Sequence, residues 1–240
     1  MSSFKPHAIA GIVFGLPFVF KMQPISLAVF YLFFALIGAS IPDLDHSSRK
    51  NKIYLMFIVG ILLSVLLFLY EGNTISCLII VMLALIFYIS KHRGFTHTFV
   101  GIFIISLLFT LFIMGFLPTV LRMCIDFNVE FSGNVFIFII LGAIGYFTIN
   151  RRYFRLYLLA LAAYLVIFPM DFTVINWYMV FAMMFVGSLS HLVLDLNTKM
   201  GLAIFKPFSN TVFHKSMASI LILVWLAFAF FQMGVFSIIY

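Results

Sequence analysis

The sequence has too few charged side chains to cover the surface of a soluble protein. Asp, Glu, Lys and Arg make up 9% of the 240 residues, whereas hydrophobic residues make up 65%. In a soluble domain about a quarter of all residues are charged, because its surface must be solvated by water. The 33 Phe and 10 Tyr residues suit a surface that faces lipid. The composition therefore predicts an integral membrane protein built from transmembrane helices.

Cysteine is also scarce, and several common catalytic motifs are absent. Cys77 and Cys124 lie in or beside apolar stretches and lack CxxC spacing, so a disulfide or a cysteine metal site is disfavoured. The sequence contains no P-loop, Gly-x-Ser-x-Gly or dinucleotide-binding fingerprint, which gives no support for nucleotide or serine-hydrolase chemistry. The first apolar run lacks a convincing cleavage site, and we expect it to be mature sequence.

Apolar runs divide the chain into about 8–9 membrane segments, since a helix needs about 20 apolar residues to cross a bilayer. Such runs must be helical, because lipid offers no partners for backbone hydrogen bonds. The first segment contains two glycines and Pro17, so it either spans with a kink or only dips into the bilayer. We predict an all-α polytopic helical bundle that forms one membrane domain over residues 1–240. The predicted segments are 8–22, 25–41, 53–70, 75–90, 98–118, 131–149, 156–169, 177–196 and 217–239.

Most of the 14 Lys and Arg residues lie on one side of these segments. We define side X as the loops 42–52, 91–97, 150–155 and 197–216, and side Y as the loops 71–74, 119–130 and 170–176. Basic loops stay in the cytoplasm, so side X is predicted to be cytoplasmic and the protein to lie in a bacterial inner membrane. A basic flank against anionic lipid explains the net charge of +7 without nucleic acid.

Side X also carries histidine and aspartate residues at membrane depth or at predicted helix ends. Ionisable groups are costly inside a membrane and are candidates for a functional site by default. Imidazole and carboxylate groups together suit zinc or another first-row divalent ion. We therefore predict a divalent metal site built from motifs at residues 7, 42–46, 92–97 and 191–195. The predicted ligands are His7, Asp43, His46, His92, His97, His191 and Asp195.

The spacing within these motifs agrees with metal binding. His191 and Asp195 are four residues apart in a predicted helix, so both side chains lie on the same face. Residues 42–46 read Pro-Asp-Leu-Asp-His, which breaks a helix and supplies two carboxylates and an imidazole. Residues 92–97 place two histidines around a glycine, which favours a tight turn.

Several of these residues have simpler alternatives. His7 alone suits an interfacial histidine, His46 a helix cap, and Asp45 a helix N-cap. Arg93 is either a cytoplasmic anchor or, beside two histidines, a phosphate ligand. His214 stands apart from the motifs, and we do not expect it to be a ligand. A polar network without metal is the alternative for the whole cluster, although it would leave several charges poorly paired.

Blocks of the sequence resemble the signature of the YdjM-like membrane-bound metal-dependent hydrolases. They read PDLDH, HRGFTHT and SHLVLDLNTKMG followed by KPFS. His7, just ahead of the first apolar run, fits the pattern of that family, so the resemblance covers most of the chain. The family is in turn thought to be related to the zinc phospholipases C and the single-strand nucleases.

The resemblance implies a zinc site of one or more ions. The pair at 191–195 matches the helical His-x-x-x-Asp/Glu pairs of those enzymes, and the histidines within 92–97 match their scattered histidines. Asp43 or Asp45 would be a bridging carboxylate. Those enzymes use several such pairs, whereas this chain has one clear pair.

We therefore expect a membrane-embedded, metal-dependent hydrolase with its site at the cytoplasmic face. The metal would lower the pKa of a bound water and polarise the scissile bond. Asp45 and Arg93 are the predicted catalytic residues, and Arg93 would offset phosphate charge. A site at the interface favours a phosphoester of a lipid or another amphiphile. Membrane lipid and a divalent metal are the expected partners.

Two other functions stay open at this point. A metal or proton transporter would need ionisable groups along the whole depth of the membrane, whereas here they gather on one side. A non-catalytic protein would use its metal only to join helices, and such a site has a closed tetrahedral shell. The number of candidate ligands exceeds what one closed site needs, which favours catalysis.

Overall fold

The structure is a computed structural model, and it describes residues 4–70, 72–128, 133–170 and 174–233. Within these residues the chain forms nine α-helices, and its only β pairing is the isolated bridge between Leu202 and Phe213. The all-α prediction is confirmed. The helices are α1 (Phe4–Val19), α2 (Ile25–Gly38), α3 (Lys50–Leu69), α4 (Thr74–Ile89), α5 (Phe99–Asp126), α6 (Gly133–Thr148), α7 (Arg151–Ile167), α8 (Trp177–Leu196) and α9 (Lys215–Met233).

Short 3-10 helices join several of these elements at the residues of the predicted motifs. They cover Pro42–Asp45, Ser47–Arg49 and Phe95–His97. The first follows α2 and contains both aspartates of the Pro-Asp-Leu-Asp-His motif. The third ends at His97, just before α5 begins. The predicted helix break at Pro42 and the turn within 92–97 are therefore present.

Among the residues that the structure describes, five stretches of helix are long and apolar enough to cross a membrane. The helices α1, α4 and α6 are apolar but shorter. Together with the composition, these helices identify an integral membrane protein, as the sequence predicted. The five long stretches are Ile25–Asp45, Ser47–Leu69, Phe99–Asp126, Trp177–Leu196 and Lys215–Met233.

Several helix boundaries differ from those predicted, and the largest shifts are at the start of α1, the end of α5 and the start of α7, which begins at Arg151 rather than at residue 156. Helix α1 already begins at Phe4, so His7 lies inside the helix rather than ahead of it. Helix α5 continues through Pro118 to Asp126, whereas the predicted segment ended near Pro118. Proline lacks a backbone N–H and disturbs a helix, but it does not always end one. Beside it, the Thr119 hydroxyl donates a hydrogen bond to the Gly115 carbonyl at 2.8 Å.

The chain forms two compact units that are interleaved in the sequence. The first unit comprises Met1–Asp43, Lys91–Ser106 and Tyr178–Tyr240, and the second comprises Leu44–Ser90 and Leu107–Trp177. The first unit contains α1, α2, α8 and α9, and the second contains α3, α4, α6 and α7. The assignment of residues 1–240 to one membrane domain stays a prediction.

The core of the first unit is apolar and aromatic. The Phe14 ring stacks on Trp225 with ring centroids 4.6 Å apart, and the indole N–H of Trp225 donates to the Phe14 carbonyl at 3.1 Å. These contacts fasten α9 to α1. The buried apolar cluster around them also includes Ile102, Val186, Leu192, Val193, Leu196, Leu202, Ile204 and Ala218. Because this cluster includes neighbours of His191 and Asp195, it fixes the end of α8 that carries them.

Two glycines allow α2 and α8 to come into backbone contact. A Cβ atom on Gly38 would lie 2.2 Å from the carbonyl oxygen of Met184, and one on Gly187 would lie 2.1 Å from that of Ala35. Small residues permit such close approach between membrane helices. The Ser188 hydroxyl donates to the Gly38 carbonyl at 2.9 Å and ties the two helices together. This crossing brings the end of α2 next to the turn of α8 that contains His191.

In the second unit, α3 packs against α4 and α6 packs against α7. The buried Tyr157 of α7 donates its hydroxyl hydrogen to the Leu141 carbonyl of α6 at 3.0 Å. Its ring occupies the space beside Gly145, where a Cβ atom would lie 2.3 Å from the ring. Arg49 donates to the Thr148 carbonyl at 2.6 Å, which joins the start of α3 to the end of α6.

Candidate metal centre

Four segments of the first unit bring imidazole and carboxylate groups together. His7 comes from α1, Asp43 from the 3-10 helix after α2, His97 from the 3-10 helix before α5, and His191 and Asp195 from α8. Four of the five side chains are buried, and Asp43 is one-third exposed. Their ligand atoms form two overlapping groups, within each of which all lie inside 4.8 Å of one another. These groups are His7, His191 and Asp195, and Asp43, His97 and His191.

The pair on α8 has the geometry that its spacing predicts. Nε2 of His191 lies 3.6 Å from Oδ2 of Asp195, one helical turn further along. The same nitrogen lies 3.6 Å from Oδ1 of Asp43. One imidazole nitrogen therefore faces two carboxylate oxygens from different segments of the chain.

The backbone of α2 determines which nitrogen of His191 faces these carboxylates. Nδ1 of His191 lies 2.8 Å from the carbonyl oxygen of Ala39. Because a carbonyl can only accept, Nδ1 must carry the hydrogen, and in a neutral imidazole Nε2 then has the free lone pair. Metal-binding histidines in proteins commonly donate their other N–H to a carbonyl in this way.

The Nε2 atom of His191 provides a test of whether a cation fits here. It is buried and makes no hydrogen bond within the described residues. A lone pair that faces two carboxylate oxygens away from water is unfavourable, unless a proton or a metal ion lies between them. The donor set of imidazoles and carboxylates is the one that zinc and similar ions prefer. The residues therefore fit a divalent cation.

Asp195 lies at the middle of the group. Its Oδ2 atom is 3.5 Å from Nε2 of His97, and its Oδ1 atom is 3.8 Å from Nε2 of His7. Ligand atoms about 2.1 Å from a tetrahedral zinc ion would lie about 3.4 Å from each other. The observed separations of 3.5 to 3.8 Å are thus close to those expected around a shared ion.

The other two histidines are held by contacts with their neighbours. The ring of His7 stacks on His191, with ring centroids 3.9 Å apart. Nδ1 of His97 is 2.9 Å from the Thr96 hydroxyl, so its Nε2 atom points toward Asp195. The rings of His97 and His191 are nearly perpendicular, with centroids 5.3 Å apart. These contacts restrict each imidazole to one orientation.

Arg93 supplies a positive charge at the edge of the group. Its side chain is 19% exposed, and its Nη2 atom lies 4.0 Å from Oδ1 of Asp195. Nη1 donates to the Thr198 hydroxyl at 3.1 Å, and that hydroxyl donates to the Asp195 carbonyl at 2.7 Å. The backbone of Arg93 has a φ of 62°, a conformation that is uncommon without a functional or structural reason. The guanidinium is therefore held beside the carboxylate.

Of the remaining predicted residues, His92 has a ligand atom within 4.8 Å of one on His97, and none is a member of the two groups above. His92 is exposed, with its ring centroid 5.4 Å from that of His97. His46 accepts a hydrogen bond from the Ser48 backbone N–H at 3.2 Å, so it caps the 3-10 helix Ser47–Arg49, as the alternative reading allowed. Asp45 is buried and belongs, with His46, to the second unit.

The sequence did not predict three groups that orient His191, His97 and Arg93. They are the carbonyl of Ala39 and the hydroxyls of Thr96 and Thr198. Thr96 lies in the block HRGFTHT and Thr198 in SHLVLDLNTKMG. Their positions close to predicted ligands could therefore have indicated a supporting role. The carbonyl of Ala39 had no signal at all, because every residue has one.

Comparison with known proteins assigns the chain to a family. The chain matches the YdjM inner membrane protein family over residues 1–238, and it therefore belongs to that family. No curated protein and no solved structure matches it. The family description agrees with the integral membrane character of the helices and with an inner-membrane location.

Proposed function

We propose that this member of the YdjM inner membrane protein family is a membrane-embedded, zinc-dependent hydrolase. It would cleave a phosphoester of a lipid or another amphiphile at the cytoplasmic face. The observation that carries the proposal is the buried Nε2 atom of His191, which faces the carboxylates of Asp43 and Asp195. Those carboxylates and two further imidazoles suit one or more divalent ions.

The exposure of the group favours catalysis over a purely structural metal. His7, His97, His191 and Asp195 are buried, whereas Asp43 is one-third exposed and Arg93 is 19% exposed. The group is therefore mostly buried, and solvent reaches it at Asp43 and Arg93. Five candidate ligands also exceed the four of a closed structural zinc site, and a catalytic site keeps one position open.

The residues of the chain divide the chemistry among themselves. His7, His97, His191, Asp43 and Asp195 would hold the metal, which when bound would supply an activated water and polarise the phosphoester. The guanidinium of Arg93, fixed by Thr198, would pair with phosphate oxygens and stabilise the charge that develops on them. The catalytic role of Asp45 stays a prediction from the sequence.

The location of the group supports a lipid phosphoester as the substrate. The ligands lie at the ends of apolar helices, where a water-soluble head group and an apolar tail can both be accommodated. Lys91, Lys199 and Lys206, all exposed in the same unit, would attract an anionic substrate. A phosphomonoester or phosphodiester of a lipid combines these properties.

The test is metal content and turnover on one purified sample. The full chain in detergent should contain zinc and release the phosphorylated or dephosphorylated product from a panel of phosphatidic acid and phosphodiester lipids. Chelation should abolish turnover, and zinc should restore it. A structural metal predicts instead a sharp fall in melting temperature on chelation, with no turnover before it. A transporter predicts metal or proton flux in vesicles without cleavage, and either result would reject the hydrolase.

A further inference from the structure

A basic cavity lies in the second unit, which shares no residue with the metal centre. Its volume is about 460 Å³, and it is lined by Lys52, Tyr146, Arg151, Phe154 and Arg155. Three of these five residues are cationic, and no acidic residue lines the cavity within the described part of the chain. Pockets of about 300–1,000 Å³ are typical of small-ligand sites. The cavity therefore has the size and charge of an anion-binding site.

Lys52 is held in place by the end of α6. Its ammonium group donates to the carbonyls of Tyr146 and Ile149, the second at 3.2 Å, and lies 4.9 Å from the centroid of the Tyr146 ring. The last carbonyls of a helix lack partners within the helix and carry partial negative charge, so they attract a cation. An ammonium group has three donors, and these carbonyls use two. The third donor is available to a ligand.

Arg151 and Arg155 lie in the first turns of α7, where two positive charges lower the stability of the helix. They are four residues apart at the start of α7, so they share a face, and both are exposed. Like charges at this spacing repel each other, and the N-terminus of a helix disfavours positive charge. A bound anion would remove both costs. Two guanidinium groups are also well suited to phosphate, whose oxygens they bind in pairs.

The remaining walls of the cavity are aromatic. Tyr146 and Phe154 pack edge to face, with ring centroids 5.6 Å apart. Lys52 lies near the start of the membrane-crossing stretch Ser47–Leu69, so the cavity is at the boundary of the apolar region. Aromatic side chains are typical of that boundary. An anionic group bound here would contact the three cationic side chains, and an apolar part of the same ligand would contact the two aromatic rings.

We propose that this cavity binds the phosphate of an anionic phospholipid head group. Basic pockets at the cytoplasmic ends of membrane helices bind such head groups. The positive-inside rule predicts that this end of α3 faces the cytoplasm. Phosphatidylglycerol is the suitable probe, and phosphatidylcholine with the same acyl chains is its neutral control. Inorganic phosphate distinguishes a lipid site from a site for a free anion.

The experiment measures binding of each probe to the full chain in neutral detergent, by native mass spectrometry and by thermal unfolding. Phosphatidylglycerol should bind and raise the melting temperature, whereas phosphatidylcholine and inorganic phosphate should do neither at the same concentration. The double substitution Arg151→Gln and Arg155→Gln should weaken phosphatidylglycerol binding about 30-fold, since each basic group near an anionic surface contributes about a fivefold step in affinity.

Two matched variants make the result specific. Arg122→Gln removes an exposed arginine of the same unit that pairs with Asp126, and it should leave binding unchanged. The double substitution Arg151→Lys and Arg155→Lys keeps the charge but loses the paired contacts, so this variant should bind more weakly than the parent and more tightly than the double glutamine variant. If the double glutamine variant does not fold, the single change Arg155→Gln should still weaken binding about fivefold.

Equal binding of phosphatidylglycerol and phosphatidylcholine would overturn the proposal, as would undiminished binding by the glutamine variants. Equal binding of inorganic phosphate would reject the lipid as ligand. All of these measurements are made on chelated, metal-free protein, so they do not depend on turnover, and this proposal and the hydrolase can fail separately.

Discussion

Replacing Asp195 by asparagine tests the metal centre most directly, because this residue contacts nearly all of its other members. The carboxylate lies 3.5 to 3.8 Å from the Nε2 atoms of His7, His97 and His191. An amide keeps the size and shape of the side chain but is a poor ligand for a divalent ion. We therefore expect Asp195→Asn to lose metal while keeping its fold.

The expected loss can be stated as a range. Removing a ligand or its support commonly lowers metal affinity or activity by about 10–100-fold, which corresponds to about 1.4–2.8 kcal/mol. The fold should survive, since the substitution leaves no cavity and the stability of a membrane bundle comes from packing over many helices. The melting temperature of the metal-free variant should therefore stay close to that of the metal-free parent.

The assay is a competition titration with a chromophoric zinc chelator in detergent, with melting temperature and lipid-phosphoester turnover measured on the same samples. Asp126→Asn is the matched control, because it makes the same chemical change at a half-exposed aspartate on α5, outside the centre. The control should bind zinc like the parent. Parent-like zinc affinity and turnover in Asp195→Asn would remove this residue from the site and refute the reasoning.

Three further predictions concern the support of the centre, its charge and its orientation. Gly187→Ala should destabilise the protein by about 1–3 kcal/mol and weaken zinc binding, because the new methyl group meets the backbone of α2. Gly142→Ala, which meets only a flexible side chain, should do neither in the same melting and titration assays. Arg93→Gln should raise KM or lower kcat for a phosphoester by at least about tenfold while zinc content stays unchanged, and unchanged kinetics would exclude a phosphate contact. In a background with both cysteines replaced, an impermeant thiol reagent added to intact cells should label a cysteine at Asn73 but not one at Ser47. The reverse pattern would place the centre outside the cytoplasm.

The sequence alone was sufficient for the class of protein and for most of its helices. Lipid requires apolar surfaces and internally satisfied backbone groups, so composition and apolar runs identify membrane helices without tertiary information. The pair His191 and Asp195 was equally accessible, because a spacing of four residues fixes a shared face within one helix. The end of α5 was predicted wrongly at Pro118, since proline disturbs a helix but does not always end it.

Only the tertiary structure decided which of the scattered ligands meet. His7, Asp43 and His97 lie on three segments that are distant in the sequence, and their approach to α8 depends on the crossing of α2 and α8 at Gly38 and Gly187. The same crossing brings the Ala39 carbonyl to Nδ1 of His191 and so turns the Nε2 lone pair toward the carboxylates. Sequence patterns report the periodicity of one helix, whereas this contact arises from close packing between two helices, and the residue types alone do not encode it.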